Sequence, residues 1–177
     1  FLRLSFSGKV HALWQVWEWL KEKVTPERNT PKALDEGFTH YGPSAGLPEV
    51  REAIAADAAQ RRGIEVTPDM VVVTPGAKPI MFFVITAVAE EGDEVIYPNP
   101  GFPIYESVIN FVGAKPVPVP LREERGFSFD PEELIELITP QTKLIILNSP
   151  QNPTGGVLSK EDLGLVAETA RERGIWV

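Results

Sequence analysis

Three short segments of this sequence combine residue types that bind small ligands. The first is Thr74-Pro75-Gly76-Ala77-Lys78, in which small residues precede an apolar stretch of helical length. The N–H groups and the dipole at a helix N-terminus favour an anion such as phosphate, although the same residues also suit a tight strand-to-helix turn. The segment matches neither a Walker loop nor a GxGxxG fingerprint, which argues against nucleoside triphosphates and dinucleotides as ligands.

The second segment runs from Tyr97 to Pro103 and contains three prolines together with Phe102. An aromatic ring held rigidly in such a turn could stack on a flat ligand, or it could pack in the core.

The third segment runs from Asn148 to Gly156 and carries Asn and Gln side chains after an apolar strand. Their amides could bond a ring hydroxyl or a carboxylate of a ligand, or merely satisfy the backbone of their own turn.

Predicted strands and helices alternate along the chain, and each of the three segments follows a predicted strand. Strands are predicted at 71–74, 94–97, 116–121 and 143–148, and helices at 80–89, 104–111, 130–138 and 159–173. Ile175-Trp176-Val177 is typical of the start of a further strand. This alternation predicts an α/β fold, a three-layer sandwich with a mainly parallel sheet. Ligands of such sheets bind at the carboxyl ends of the strands, which is where the three segments fall.

Local signals set several of these boundaries. Asp130, followed by proline and two glutamates, predicts a helix N-cap, and Ser159 predicts another. Gly113 and Gly174 stand where helices should stop. The alternation of proline and valine from Pro116 to Leu121 predicts an edge strand or an irregular one, because proline cannot donate to a ladder.

Composition excludes several classes of function. The chain has 177 residues, a formal net charge of −8 at pH 7 and no cysteine, so disulfides and cysteine-based zinc sites are impossible. The acidic balance makes nucleic acid an unfavourable partner. No segment is apolar for long enough to span a membrane, and no secretory signal layout is present, so no membrane partner and a cytoplasmic location are expected.

Residues 1–35 differ in character from the rest. His11 to Val24 has helical apolar spacing and holds three of the four tryptophans, at positions 14, 17 and 19. Such a stripe predicts a helix that packs on this domain or on a partner chain; a ligand cage or a membrane-surface helix is the alternative. Thr25 to Lys32, with two prolines and an asparagine, is predicted to be a linker. We therefore expect 1–35 to be a tryptophan-rich helix and linker, and 36–177 to form the ligand-binding domain.

From about Ala33 to Val177 the chain resembles the class I/II aminotransferases, pyridoxal-phosphate enzymes of fold type I. Four stretches carry the resemblance in the family's order and at family-like spacings. They are His40 to Arg51, Thr74 to Lys78, Tyr97 to Tyr105, and Asn148 to Gly156 with its Asn-Pro-Thr-Gly core. The resemblance implies that 36–177 is the first half of the large, pyridoxal-phosphate-binding domain, partial and ending within a strand.

The resemblance also implies roles for individual residues toward pyridoxal 5'-phosphate. The backbone amides that hold the cofactor phosphate correspond to Gly76, Ala77 and Lys78. The aromatic ring that stacks on the pyridine ring corresponds to Phe102. The asparagine that bonds the pyridoxal 3-oxygen and helps to seat the substrate carboxylate corresponds to Asn152.

A further implied residue points to a partner subunit. Tyr41 matches a tyrosine that reaches across a homodimer interface to the phosphate of the neighbouring subunit. The implied reaction is the transfer of an amino group between an amino acid and a 2-oxo acid. Fold type I lyases, decarboxylases and cyclopropane-forming synthases are alternatives, because this half of the domain binds the cofactor without choosing the reaction. A non-catalytic cofactor-binding or interaction module is another.

Two of the family's reactive groups have no counterpart in the sequence. In the family, the acid that keeps the pyridinium nitrogen charged lies on the strand beginning at Ile175, a few residues on, and the Schiff-base lysine lies further still. Of the eight lysines, only Lys78 is expected near the cofactor, at the phosphate end. The family also has, before its tyrosine motif, a strand with a Gly-x-Pro-Asp-Phe-like signature that closes over the substrate. No such segment occurs between Val24 and Phe38. We expect a fragment of the family enzyme, inactive on its own.

Overall fold

The computed structural model describes residues 26–177, and the side chains from residue 31 onward. The predicted helix His11 to Val24, with its three tryptophans, lies outside the described residues. The described chain divides after residue 74 into two compact units, 26–74 and 75–177. The boundary predicted between residues 35 and 36 stays a prediction.

The first unit contains helices α1 (Pro26–Asp35) and α2 (Pro48–Arg62) and a 3-10 turn at Pro68–Met70. The predicted linker from Thr25 to Lys32 is therefore wrong over most of its length. Proline at the first helical position carries no penalty, since that N–H has no intrahelical partner, and the helix tolerates Pro31 in its interior. α2 likewise begins at a proline and ends at Gly63, whose φ of 61° is left-handed.

Residues 71–74 do not form the predicted strand. The N–H of Val73 donates to the Ala45 carbonyl over 2.9 Å, and the Val71 carbonyl accepts from Arg51 Nε over 2.9 Å. These two bonds connect the segment to a loop and a helix of its own unit, not to a neighbouring strand. A β-branched run favours extended backbone, but its composition does not supply a neighbouring strand to pair with.

The second unit is built on a three-stranded parallel sheet in the order β2-β1-β3. Its elements are α3 (Ala77–Val88), β1 (Glu94–Asn99), α4 (Ile104–Phe111), β2 (Lys115–Pro120), α5 (Pro131–Glu136), β3 (Thr142–Ile145) and α6 (Lys160–Arg173). Alternate residues of β1 enter two separate apolar clusters. Val95 and Tyr97 pack with residues of α3 and α4, whereas Ile96 packs with residues of α5 and α6. Helices thus cover both faces, which confirms the three-layer α/β prediction.

Several local predictions are confirmed in this unit. Asp130 Oδ1 accepts from the Glu132 N–H over 3.0 Å, and Ser159 Oγ accepts from the Asp162 N–H over 3.0 Å. The proline-rich β2 lies at an edge of the described sheet. Trp176 forms a parallel bridge with Leu144, and its carbonyl accepts from the Ile145 N–H over 2.8 Å. Trp176 is therefore paired in parallel beside β3, which agrees with the strand-like residues at 175–177.

Glu94 holds the amino-terminal end of the sheet together. Its side chain is buried, with Oε1 2.7 Å from Lys115 Nζ on β2. Its other oxygen, Oε2, accepts from Thr139 Oγ1 over 2.6 Å. The hydrogen bond from Lys115, and then that from Thr139, hold the pKa of this carboxyl below its ordinary value of 4.5.

Replacing Glu94 by glutamine is expected to lower the free energy of unfolding at neutral pH by about 1.5–3 kcal/mol, the range for hydrogen bonds to a charged group. Because the folded-state pKa is depressed, the native carboxylate stabilises the protein above pH 4.5 and loses that contribution as the pH falls through the folded-state value. The difference between wild type and Glu94→Gln should therefore shrink in acid. Urea unfolding at neutral pH and at about pH 3 measures it. The exposed Glu136→Gln is the control, and an equal difference at both pH values would contradict the prediction.

Candidate functional site

The second and third predicted segments follow neighbouring parallel strands. The turn with Phe102 follows β1, and the loop with Asn152 follows β3. Because β1 and β3 are parallel and paired, their carboxyl ends lie at the same edge of the sheet. The structure therefore brings these two predicted segments together at one edge.

The first segment contributes the start of α3. Gly76 precedes this helix with φ 92° and ψ −177°, a combination that is essentially restricted to glycine. A β-carbon on Gly76 would meet no atom within 4 Å, so the space beside it is open. The first amides of a helix, here those of Ala77 and Lys78, have no partners within the helix. Their dipoles and the open space beside Gly76 suit an anion.

Lys78 joins the first segment to the second. Its ammonium nitrogen lies 5.9 Å from the centroid of the Phe102 ring, within the range of a cation–π contact. The positive start of α3 and the aromatic turn after β1 thus converge. An anionic group at the helix and a flat ring at Phe102 could belong to one ligand.

Phe102 is only partly buried, and it packs against the core cluster. Its ring meets Tyr105 edge-on, with centroids 6.2 Å apart and an interplanar angle of 75°. Tyr105 is buried, which raises its pKa, and a side-chain hydrogen bond with Asn148 offsets part of that rise. Tyr97 is buried in the same cluster. Of the two aromatic residues predicted at this edge, Tyr97 is core packing, and Phe102 has a supported ring that remains accessible.

The turn that carries Phe102 is folded tightly over the end of β1. A β-carbon built on Gly101 would overlap the Pro98 carbonyl oxygen and lie 3.2 Å from the Pro98 carbonyl carbon. The Tyr105 N–H donates to the Phe102 carbonyl over 3.1 Å as α4 begins. Glycine at 101 is thus required by close backbone approach, not by an unusual φ.

The Asn152 loop is closed by its own backbone. The Gln151 N–H donates to the Gly156 carbonyl over 2.7 Å, and the Gly155 N–H donates to the Gln151 carbonyl over 2.7 Å. Ser149 Oγ accepts from the Leu158 N–H over 3.0 Å. Asn152 is exposed, and within the part of the chain that the structure describes its side-chain amide makes no hydrogen bond. The loop is therefore ordered, with the Asn152 amide available to a ligand.

Sequence reasoning missed the role of one residue. The Gln151 side chain is buried and donates from Nε2 to the Pro100 carbonyl over 3.2 Å, and so connects the Asn152 loop to the Phe102 turn. The signal available was only an amide residue in a loop after a buried strand. Its partner is a backbone carbonyl 51 positions away, which no local pattern specifies.

Tyr41 belongs to the first unit, and its side chain is fully exposed.

No group of three or more His, Asp or Glu side chains in the described residues could hold a metal ion. Among residues 26–177, no helix has the length and apolar character needed to cross a membrane.

The fold defines a class of protein: a parallel α/β unit, whose ligands characteristically bind at the carboxyl ends of the strands, the edge that here carries the aromatic turn and the amide loop. Comparison with known proteins makes the class specific. A sequence profile for aminotransferase class I and II matches residues 12–177, and the chain belongs to this family.

Individual relatives agree with this assignment. The chain is 46% identical over 146 residues to a probable aspartate/prephenate aminotransferase of Aquifex aeolicus, covering 82% of this chain and 37% of that protein. It is 41% identical over 190 residues to an aspartate aminotransferase of Pyrococcus abyssi, covering 99% and 49%. A solved structure of a Thermus thermophilus aspartate aminotransferase mutant superposes with a TM-score of 0.79 at 40% identity, covering 84% of this chain and 41% of that one. The chain thus spans less than half the length of the curated relatives it matches.

Proposed function

We propose that this chain binds pyridoxal 5'-phosphate at the carboxyl edge of its sheet and forms part of an aminotransferase, which moves an amino group between an amino acid and a 2-oxo acid. The observation that carries the proposal is the convergence of Lys78 and Phe102, with 5.9 Å between the ammonium nitrogen and the ring centroid. It supports a ligand with an anionic group at the start of α3 and a flat ring at Phe102. Pyridoxal phosphate is a ligand with both a dianionic group and a flat ring.

The start of α3 would hold the phosphate. The amides of Ala77 and Lys78 lie in the first helical turn without partners inside the helix, and the space beside Gly76 is open. The helix dipole stabilises a negative charge there, and the Lys78 ammonium adds a full positive charge on a flexible stem. These groups fit a phosphate dianion without any metal ion.

The two turns would hold the ring. Phe102, supported edge-on by Tyr105, offers an aromatic face to the pyridine ring. Asn152 offers an exposed amide that can donate to the 3-oxygen, and it would also help to seat the substrate carboxylate. When bound, the cofactor supplies an electron sink for the carbanion formed at the substrate's α-carbon. The residues described here bind and orient it.

The rest of the proposal concerns the assembled enzyme. The fully exposed Tyr41 side chain suits contact with the phosphate of a neighbouring subunit in a homodimer. A cytoplasmic location fits the composition. Because the relatives' names include aspartate and prephenate, aspartate is the first amino donor to test. The 177-residue chain alone is proposed to bind the cofactor without turnover, because none of its eight lysines matches the family's Schiff-base lysine.

Titration with pyridoxal 5'-phosphate, followed by the cofactor's visible absorption, tests the proposal. Phe102→Leu is expected to weaken binding about tenfold, because leucine fills similar volume but offers no aromatic face. Phe111→Leu, at an exposed position on α4, is the matched control and should bind as wild type does. Pyridoxal without the phosphate should bind far more weakly than the phosphate ester.

Two results would contradict the proposal. One is equal affinity for pyridoxal and its phosphate, which would remove the role of α3. The other is unchanged affinity in Phe102→Leu. Borohydride reduction of the mixture adds a check on orientation: a stable adduct on Lys78 would place the aldehyde, and not the phosphate, at the start of α3.

A further inference from the structure

The Gln151 carboxamide lies between the two ring-binding segments. The side chain is only 5% exposed. Its Nε2 lies 3.2 Å from the Pro100 carbonyl oxygen and 3.1 Å from the Asn152 carbonyl oxygen. Both neighbours are acceptors, so the amide must present its NH₂ group to them, and each N–H has one carbonyl partner.

The segment from Pro98 to Pro103 is poor in backbone donors. Prolines at 98, 100 and 103 have no N–H, so half of this six-residue turn cannot donate a backbone hydrogen bond. The Gln151 side chain supplies a donor to the middle of the turn, two residues before Phe102.

Gln151 is itself fixed. Its N–H and its carbonyl both close the Asn152 loop, through Gly156 and Gly155. The side chain therefore extends from a held backbone to a second held backbone. At one end of this hydrogen bond, Asn152 is the residue next to Gln151. At the other end, Phe102 lies two residues after Pro100.

We propose that Gln151 is a positioning residue that sets the separation between the Phe102 ring and the Asn152 amide, so that one flat ligand is held by its face and by its ring oxygen at the same time. This role rests on the proposed binding of pyridoxal phosphate. Gln151 touches neither the cofactor nor the substrate; it acts through the two residues that do.

The test uses two replacements at 151 in the 177-residue chain. Gln151→Glu keeps the size of the side chain but removes both N–H donors at neutral pH, and Gln151→Met removes them without adding charge. Gln60→Glu makes the same change at an exposed position of α2 and serves as control. Far-UV circular dichroism and thermal melting confirm that each variant is folded. If Gln151→Glu does not fold, Gln151→Met carries the measurement.

The first measurement needs no cofactor. Tyr105 and Leu121 donate their N–H groups to the Phe102 and Asn99 carbonyls, on either side of Pro100. Amide exchange of these two residues, followed by NMR, is expected to be about tenfold faster in Gln151→Glu and Gln151→Met than in wild type, because the turn has lost its buried donor. Amides in the middle of α6 and those of Gln60→Glu should be unchanged. Unchanged exchange at both Tyr105 and Leu121 would overturn the role.

The second measurement is a double-mutant cycle on the affinity for pyridoxal phosphate. Gln151→Met alone is expected to weaken binding about tenfold, but to have little effect in a Phe102→Leu background, where no aromatic ring remains to be positioned. Additive losses would overturn the positioning role while leaving the proposed function intact. Failure of the wild-type chain to bind pyridoxal phosphate would overturn the proposed function and, with it, this role.

Discussion

Gly101→Ala should destabilise the second unit by about 3 kcal/mol, near the upper end of what overpacking costs. The added methyl group overlaps the Pro98 carbonyl oxygen. That atom is backbone at the end of β1, in a turn stiffened by prolines, so it has little freedom to move away. Relief requires the turn to open, and opening it displaces Phe102.

The expected loss is measured by urea unfolding, with pyridoxal phosphate affinity as a second readout. Gly164→Ala is the matched control. Gly164 lies inside α6, where a β-carbon meets nothing within 4 Å, so alanine should stabilise the helix by about 0.5–1 kcal/mol. A Gly101→Ala protein as stable as wild type would show that the turn is looser than its geometry indicates.

The second large effect is expected in the core. Phe129 is 2% exposed and packs in the cluster formed by β1, β3, α5 and α6. Its replacement by alanine should cost about 3–5 kcal/mol, from lost burial and from the cavity that remains. Against a total stability of about 5–15 kcal/mol for an ordinary domain, this leaves a protein close to unfolding.

Thermal and urea unfolding measure the effect, with Phe111→Ala as control. Phe111 is 72% exposed, so the same truncation there should cost less than about 1 kcal/mol. Phe129→Leu, which retains most of the side-chain volume, should fall between the two. Equal losses at positions 129 and 111 would mean that the cluster around Phe129 is not a close-packed core.

The sequence predicted those parts of the fold that depend on neighbouring residues. The bounds of α4 and the N-caps at Asp130 and Ser159 agree with the structure because capping and helix periodicity act within one or two turns. The predicted strand at 71–74 failed for the opposite reason. A strand needs a partner strand, and the Val73 N–H and the Val71 carbonyl bond instead to Ala45 and Arg51 of their own unit.

The candidate site divides in the same way. Phe102 and Asn152 could be assigned to one edge because their segments follow predicted strands, and parallel strands bring such turns together. Gly76 could be assigned because small residues precede an apolar stretch of helical length. The link through Gln151 is not recognisable in this way. It joins residues 51 positions apart through a side chain and a backbone carbonyl, and only the folded arrangement shows which carbonyl is in reach.

The prolines of β2 also limit how this protein can associate with others. Lys115 and Leu121 donate inward, to carbonyls of Asp93 and Asn99. Since successive residues of a strand face opposite sides, Pro116, Pro118 and Pro120 all face outward, where they present carbonyls but no N–H. A strand from another molecule that paired with this edge of β2 would find carbonyl acceptors but no N–H donors. The edge is thereby protected against strand-to-strand aggregation, and growth of the sheet is directed to the side of β3, where Trp176 already pairs.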